Sequence, residues 1–182
     1  NYPFTRGLTP EEKQNNSACI QRQLLHCFET LKKEEVALAV LVCNTLHLEL
    51  SHISMEPLQL FSIPHLVLKK IEEKKGKRLL LLATENTCRS SLYNQNGITI
   101  FCLPQKEQRI VEEAIDHILE GKIVKKDALL LEQLINAFPE AIDGVILGCT
   151  DLPVLHHHHP LSLNVPIYDS VKIPATTILR YL

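Results

Sequence analysis

The stretch that most constrains the fold of this chain is a short apolar run that ends at a glycine, Val145-Ile146-Leu147-Gly148. An apolar run of this length, bounded by Gly148 and Pro153, is typical of a parallel strand that is buried on both faces. A thiol, a hydroxyl and a carboxylate follow at once, in Cys149-Thr150-Asp151. Because ligands bind beyond the carboxyl ends of such strands, these three residues are candidates for a functional site.

A second stretch repeats this arrangement earlier in the chain. Val36–Val42 is entirely apolar, and Cys43-Asn44-Thr45-Leu46-His47 follows it. Such a run predicts another strand that is buried on both faces. Two strands that each lead to a cysteine and a threonine suggest two similar lobes that face each other.

Strand and helix patterns alternate along the whole chain, which predicts an α/β fold of parallel strands joined by right-handed crossovers. Thr9, Pro10 and Glu12 form a helix start in which Thr9 is the cap. This helix is predicted to run to about Lys33 and to bury one apolar stripe, namely Ile20, Leu24, Phe28 and Leu31.

The other elements follow from the same patterns. Turns are expected in residues 1–8, and a loop is expected around Met55–Ser62 after a helical turn or two beyond His47. The predicted strands are Arg78–Ala83, Ile98–Leu103, Gly144–Leu147 and Val165–Tyr168. The predicted helices are His65–Lys75, a segment from Thr84 through Tyr93, Gln105–Glu120, Lys126–Ala137 and Ser170–Leu182.

Composition narrows the classes of function. Of the 182 residues, 45% are hydrophobic and 22% are charged, a globular balance for one core or for two small lobes that share a cleft. The net charge of −2, without a cluster of lysines or arginines, gives no basis for nucleic-acid binding. We found neither an apolar run of membrane-spanning length nor a signal-peptide pattern. The six cysteines lack paired spacing, which indicates reduced thiols and a cytoplasmic protein.

Cys43 and Cys149 are the candidates for chemistry. Each lies between a strand end and an expected helix start, where backbone N–H groups favour a thiolate and lower the thiol pKa. Thr45 and Thr150 are expected either to cap those helices or to bind a carboxylate. His47 and Asp151 are close enough in sequence to tune the adjoining thiol, as an orienting acceptor or a proton partner.

Two thiols on opposite walls of one cleft suggest proton transfer at carbon. One thiol would remove a proton while the other delivers a proton to the opposite face, so the product is the mirror-image centre. The remaining cysteines (19, 27, 88 and 102) are interpreted as small packing residues. The run His156–His159 is interpreted as a solvated loop with no more than adventitious metal affinity, so no metal site is predicted.

Four motifs resemble those of the aspartate/glutamate racemase family. Cys43-Asn44-Thr45-Leu46-His47 resembles its CNTxH motif, and Gly148-Cys149-Thr150-Asp151 resembles its GCTE motif. Ala83-Thr84-Glu85-Asn86-Thr87, with Ser90 and Tyr93, is similar to its ATxGTxxSxxY segment. Pro166-Ile167-Tyr168-Asp169-Ser170 resembles its closing P-x-x-D-[ST] element.

The resemblance implies a cofactor-independent racemase with two pseudo-symmetric α/β lobes and an active-site cleft between them. The lobes would be residues 1–76 plus 168–182 and residues 77–167. Cys43 and Cys149 would be the catalytic acid/base pair. The residues implied to bind the substrate carboxylates are Asn44, Thr45, Thr84, Thr87, Thr150 and Lys125. His47, after CNTx, fits the aspartate branch, so a small dicarboxylic amino acid, aspartate before glutamate, is the expected substrate and a homodimer the expected assembly.

Three departures from the family pattern affect these expectations. Asp151 replaces the usual Glu and shortens the reach of the carboxylate, and Asn86 replaces a Gly at a turn that Asn tolerates. The opening strand, Gly-rich turn, helix and second strand of the family have no counterpart before residue 1. The first lobe is therefore expected to be incomplete at its N-terminus, as in a fragment or a degenerate member.

Two alternatives stay open at this point. One is another isomerase of the superfamily, such as a hydantoin racemase or a maleate isomerase. The other is a truncated relative that binds carboxylates without turnover.

Overall fold

The computed structural model describes residues 9–51 and 53–180. The turns expected in residues 1–8, and the last two residues of the expected closing helix, lie outside the described residues. The helices in chain order are α1 (Pro10–Lys33), α2 (Ile63–Glu73), α3 (Glu85–Cys88), α4 (Gln105–Leu119), α5 (Lys125–Asn136), α6 (Leu152–His158) and α7 (Lys172–Ile178). The strands are β1 (Leu38–Val40), β2 (Gln59–Phe61), β3 (Arg78–Leu82), β4 (Thr99–Cys102), β5 (Gly144–Leu147) and β6 (Ile167–Asp169), and a 3-10 helix spans Thr45–Glu49.

The strands form two parallel sheets. The larger sheet has the order β4-β3-β5-β6, and the smaller one pairs β1 with β2. β3 and β5 lie at the centre of the larger sheet, where their apolar residues are buried on both faces. The predicted α/β fold with parallel sheets flanked by helices is confirmed.

Apolar layers cover both faces of the larger sheet. On one face α4, α5 and α6 pack through residues such as Val111, Leu131 and Leu155. On the other face α2 packs through Val67 and Ile71, together with Tyr93. Because helices protect both faces, the carboxyl edge of the sheet is where polar side chains can gather.

The start of α1 agrees with its sequence pattern. The Thr9 hydroxyl accepts a hydrogen bond from the Glu12 N–H, and the Glu12 carboxylate accepts one from the Thr9 N–H. α1 buries Ile20, Leu24 and Phe28 in a third apolar cluster beside the 3-10 helix. Cys27 on the same helix is exposed, so its interpretation as a packing residue is wrong, because it lies outside this apolar stripe.

The strand predicted at Val36–Val42 is shorter and less buried than expected. Only Leu38–Val40 is a strand, and Val40 and Val42 are 37% and 58% exposed. Within the described residues β1 has one neighbour, β2, so its other edge lacks a partner there. β2 falls inside the predicted loop at Met55–Ser62, since three residues are too few to show a periodic pattern.

Two other predictions of local structure are wrong. The helix expected from Thr84 through Tyr93 is only the four residues of α3, and turns follow it. The histidine run begins inside α6 rather than in a loop, because Leu152 and Leu155 bury one face of this helix in the core. No described helix has the length and apolar character needed to cross a membrane.

The division into lobes remains a prediction. α2, from the predicted first lobe, packs against the larger sheet and α7. β6 pairs with β5 at the edge of the same sheet. The smaller sheet and α1 share a separate apolar cluster.

Candidate active site

Cys149 follows directly from the central strand β5. Gly148 joins the two, and a Cβ at this position would overlap the Leu81 side chain and lie 3.2 Å from the Ala83 Cβ. The glycine therefore lets β5 end tightly against β3 and aims the next residue beyond the sheet edge. Cys149 is only 8% exposed there, so it belongs to an enclosed site.

Cys43 occupies the equivalent place after β1, before the 3-10 helix. The backbone N–H groups of Thr45 and Leu46 hydrogen-bond to the thiol and lower its pKa. Burial has the larger and opposite effect, so the pKa of Cys43 is raised overall. The lowered pKa expected for a thiol at a helix start is therefore wrong for Cys43.

Three buried threonine hydroxyls meet beside Cys43. Thr45 Oγ1 is 3.0 Å from both Thr84 Oγ1 and Thr87 Oγ1, and the latter two are 3.1 Å apart. Thr84 comes from the end of β3 and also caps α3 by accepting from the Thr87 N–H. The cluster connects the loop after β1 to the larger sheet, and Thr45 does not cap the 3-10 helix.

Asn44 is held by two residues that the sequence had not marked as functional. The Tyr93 hydroxyl donates to Asn44 Oδ1 at 2.7 Å, and Asn44 Nδ2 donates to Ser170 Oγ at 3.3 Å. All three side chains are buried. The signal that could have identified them was present, since Tyr93 and Ser170 both lie in the motif matches.

The second hydrogen of Asn44 Nδ2 is not used by these contacts. Because the phenol can reach Oδ1 only as a donor, the amide orientation is set and Nδ2 keeps both hydrogens for other acceptors. One of them serves Ser170. The other remains for an acceptor beyond these two residues.

His47 binds the loop backbone rather than the thiol. Its Nδ1 lies 2.8 Å from the Cys43 carbonyl oxygen, and its Nε2 accepts from the Ile63 N–H at 3.4 Å. Burial lowers the pKa of His47, which favours the neutral ring with its proton on Nδ1. With both nitrogens engaged, His47 positions the Cys43 loop.

Asp151 reaches Cys149 despite its short side chain. The Cys149 thiol donates to Asp151 Oδ2 at 3.1 Å. Burial, followed by the charge of Asp151, raises the pKa of Cys149 well above its usual value, and the nearby Cys43 adds to this. The expected lowering is again wrong, because burial and a neighbouring carboxylate both favour the neutral thiol.

The charges of neighbouring groups raise the pKa values of both thiols and of Tyr93. Cys43 raises the pKa of Cys149, and Asp151 raises the pKa of Cys43. The pKa of Tyr93 is raised by burial and then by Cys149. The structure thus brings both predicted cysteines into one neighbourhood with Asn44 and the threonine cluster.

Thr150 and Lys125 are the other two residues predicted to bind a substrate carboxylate. Thr150 is half-buried directly after Cys149, but the N-cap of α6 is Asp151, so Thr150 does not cap the helix. Lys125 is an exposed residue at the start of α5, and α5 packs against α4. Among the described residues no group of three or more His, Cys, Asp or Glu side chains could hold a metal ion.

A separate cavity of about 670 Å³ lies at the opposite edge of the larger sheet. Gly76 and Asp143, at the amino ends of β3 and β5, help to line it, as do Lys70, Lys74 and Lys75. These lysines lie at the C-terminal end of α2, where positive charge compensates the helix dipole. This cavity is not assigned as the active site, because Cys43 and Cys149 each follow the carboxyl end of a strand, whereas the cavity lies at the amino ends of β3 and β5.

Comparisons with known proteins identify the family of this chain. The sequence model of the Asp/Glu/Hydantoin racemase family matches residues 5–178, and the chain belongs to this family. It is 27% identical over 177 residues to a glutamate racemase of Aquifex aeolicus, a match that covers 90% of this chain and 65% of the relative.

Solved structures show the same fold. Picrophilus torridus aspartate racemase superposes with a TM-score of 0.74 at 21% identity, over 88% of this chain and 68% of that one. An aspartate racemase homologue from Pyrococcus horikoshii has a TM-score of 0.69 at 23% identity, over 88% and 73% of the two chains. The chain spans 57% to 65% of the lengths of the curated relatives that it matches.

Proposed function

We propose that this protein interconverts the L and D forms of a dicarboxylic amino acid, with Cys43 and Cys149 as the acid/base pair. The observation that carries the proposal is a half-buried thiol, Cys43, and a buried thiol, Cys149, that interact electrostatically beside a cluster of hydroxyl and amide groups. Family membership supports the class of reaction, because the family comprises racemases.

The raised thiol pKa values suit proton abstraction from carbon. The Cα–H of an amino acid is a very weak acid. A thiolate removes this proton more readily when the pKa of its thiol is closer to the pKa of the Cα–H. One thiol must first become a thiolate, and the Cys149 thiol already donates to Asp151 Oδ2. In the proposed mechanism Asp151 accepts this proton as the reaction begins.

The two thiols then play opposite roles in each turnover. The Cys149 thiolate removes the Cα proton from one face, and the Cys43 thiol, kept protonated by its raised pKa, delivers its proton to the other face. In the reverse direction the roles exchange. No bond between sulfur and substrate is needed, and the proposed reaction requires no cofactor such as pyridoxal phosphate.

Carboxylate binding is assigned to the polar groups around the thiols. Asn44 Nδ2 has an available N–H, and the hydroxyls of Thr45, Thr84 and Thr87 are donors that can turn towards a substrate oxygen. Thr150 would bind from the Cys149 side. We also assign the distal carboxylate to Lys125, which is exposed at the start of α5.

Aspartate is the proposed substrate and glutamate the competing one. His47 after the CNTx motif favours aspartate, as does the likeness to structures named as an aspartate racemase and an aspartate racemase homologue. The curated relatives named as glutamate racemases favour the longer substrate. We further propose a cytoplasmic homodimer in which the cleft between two lobes, residues 1–76 plus 168–182 and residues 77–167, holds the substrate.

Hydrogen exchange at Cα tests the two-thiol mechanism directly. We expect the parent protein in deuterated water to incorporate deuterium into L- and D-aspartate, as measured by mass spectrometry with chiral chromatography. Cys43→Ser and Cys149→Ser should each slow racemisation by at least about a hundredfold, since general acid–base catalysis contributes about 10²–10⁴. Cys27→Ser, at an exposed position on α1, is the matched control.

Racemisation at parental rates in both site variants would contradict the mechanism. A panel that adds glutamate, hydantoins and maleate separates the substrate alternatives, because the family name itself includes hydantoin racemases.

A non-catalytic carboxylate-binding protein is the second candidate. It is favoured by the buried hydroxyl and amide groups of Asn44, Thr45, Thr84 and Thr87, which could bind a carboxylate without any transfer of a proton. Calorimetry that detects aspartate binding, while deuterium exchange at Cα is absent, would support this candidate over the racemase.

A further inference from the structure

Cys88 and Cys102 form a second pair of thiols outside the proposed acid/base site. Cys88 ends α3, Cys102 ends β4, and both are half-buried. They pack against the same apolar cluster, on the α2 face of the larger sheet. Neither thiol has a part in the proton transfer described above.

The sheet register brings these two residues together. Cys102 pairs with Leu81 across β3 and β4, and the Cys88 thiol lies 3.9 Å from the Leu81 carbonyl oxygen. Cys102 Sγ in turn lies 3.5 Å from the Cys88 carbonyl oxygen. The Cys102 thiol therefore lies against the backbone of Cys88, and the two side chains are near enough to shift each other's pKa.

The two thiols differ in reactivity. The neighbouring Cys88 side chain lowers the pKa of Cys102, whereas the pKa of Cys88 is raised by Cys102 and by burial. Cys43 and Cys149 also have raised pKa values. Because the thiolate is the form that reacts with oxidants, Cys102 is the most readily oxidised of these four.

We propose that Cys88 and Cys102 are an oxidative modification site that closes to a reversible disulfide in the presence of a peroxide. The Cys102 thiolate attacks one oxygen of hydrogen peroxide, which breaks the O–O bond, releases hydroxide and leaves a sulfenic acid. The Cys88 sulfur then attacks the Cys102 sulfur, so an S–S bond forms, the S–O bond breaks, and the Cys88 proton leaves with the hydroxyl as water. A dithiol reductant reverses the reaction by thiol–disulfide exchange.

Closure of this disulfide would act on the carboxylate-binding cluster. Cys88 adjoins Thr87, and both belong to the four-residue helix α3. Forming the bond withdraws the Cys88 thiol from the Ala83 carbonyl and the Gln108 side chain, which lie 3.8 and 3.7 Å away. A shift of α3 displaces the Thr87 hydroxyl. This consequence for substrate binding rests on the proposed function, whereas the disulfide itself does not.

Peptide mapping of the unmutated protein is the primary test. The reduced protein is treated with a small excess of hydrogen peroxide, its free thiols are alkylated, and it is digested without reductant. We expect a cross-linked peptide joining Cys88 to Cys102 that disappears after treatment with dithiothreitol. Absence of this peptide, or earlier oxidation of Cys43 or Cys149, would overturn the proposal.

Two variants test the order of events. In Cys88→Ser, a dimedone-type probe should label a sulfenic acid at Cys102. In Cys102→Ser, labelling at Cys88 should be at least tenfold weaker, because each unit of thiol pKa changes the ratio of thiolate to thiol about tenfold. Preferential labelling of Cys88 would contradict the assigned roles. Since mapping of the unmutated protein needs no variant, a variant that fails to fold leaves the primary test intact.

The effect on the site is measured separately. We expect the oxidised protein to bind aspartate about tenfold more weakly by calorimetry, the effect of losing one hydrogen bond to a charged group. Recovery after dithiothreitol should be complete, and Cys88→Ser should show no disulfide-dependent change. If the disulfide forms but the reduced protein neither binds nor racemises aspartate, the proposed function fails while the modification site stands.

Discussion

At the residue scale, Asn44 is where contacts from three parts of the chain converge. It follows Cys43, accepts a hydrogen bond from Tyr93 and donates one to Ser170. Tyr93 lies beyond α3 and Ser170 just beyond β6, so this amide links the loop after β1 to two segments of the larger sheet's half of the molecule. A displaced amide would also displace the neighbouring thiol.

Tyr93→Phe tests this arrangement. Removing the hydroxyl leaves the buried Asn44 Oδ1 without its donor, which costs about 1–3 kcal/mol of unfolding free energy. The amide is then free to rotate, so we expect the KM for aspartate to rise more than kcat falls. Urea unfolding and steady-state kinetics measure the two effects. Tyr168→Phe, another buried tyrosine, is the control, and equal kinetic effects in both variants would contradict the positioning role.

At the element scale, the site depends on how β3 and β5 end. Both strands are buried on both faces, and each leads into a tight polar segment that carries site residues. Gly148 permits the close approach of β5 to Leu81 and Ala83. The smaller sheet contributes Cys43 through a strand of only three residues, so the 3-10 helix and His47 hold that loop in place.

Gly148→Ala tests the close approach. The added methyl group overlaps the Leu81 side chain in a core where Leu81 is almost fully buried, and overpacking of this kind costs about 1–3 kcal/mol. Denaturant unfolding should show this loss. Combining the change with Leu81→Ala should destabilise the protein by less than the sum of the single changes, because each relieves the other. Strict additivity would show that the overlap with Leu81 is not the cause.

At the scale of the whole molecule, the buried thiols make stability depend on pH. The pKa values of Cys43, Cys88 and Cys149 are raised in the folded protein, mainly by burial for the two site thiols. Above the unfolded thiol pKa, about 8.5, the unfolded chain loses protons that the folded chain retains. Stability is therefore fully present below that pH and falls as pH rises towards the folded values.

Denaturant unfolding between pH 7 and pH 10 measures this dependence. Each such thiol adds a slope of at most about 1.4 kcal/mol per pH unit. The Cys43→Ser/Cys149→Ser double variant should lose less stability than the parent over this range, and Cys27→Ser should match the parent. A double variant with the parental slope would mean that these two thiols do not stay protonated in the fold.

Much of the fold followed from local patterns in the sequence. Several elements carry their own signal within a few residues. They are the capping box at Thr9, the apolar runs of β3 and β5, and the amphipathic stretches of α4 and α5. Such signals are local, so they predict elements well. They failed for β2, which is too short for periodicity, and for α6, where tertiary burial of Leu152 and Leu155 decides the structure.

The sequence by itself determined the α/β class and the family, and it indicated which cysteines lie at strand ends. Only the tertiary structure decided their protonation, since the raised pKa values arise from burial and from charges brought together by folding. It also decided that Asn44 is clamped by Tyr93 and Ser170, residues 49 and 126 positions away. The physical reason is the distance along the chain over which each interaction acts. Strand and helix patterns repeat over a few residues, whereas desolvation and long-range hydrogen bonds exist only after the chain has packed.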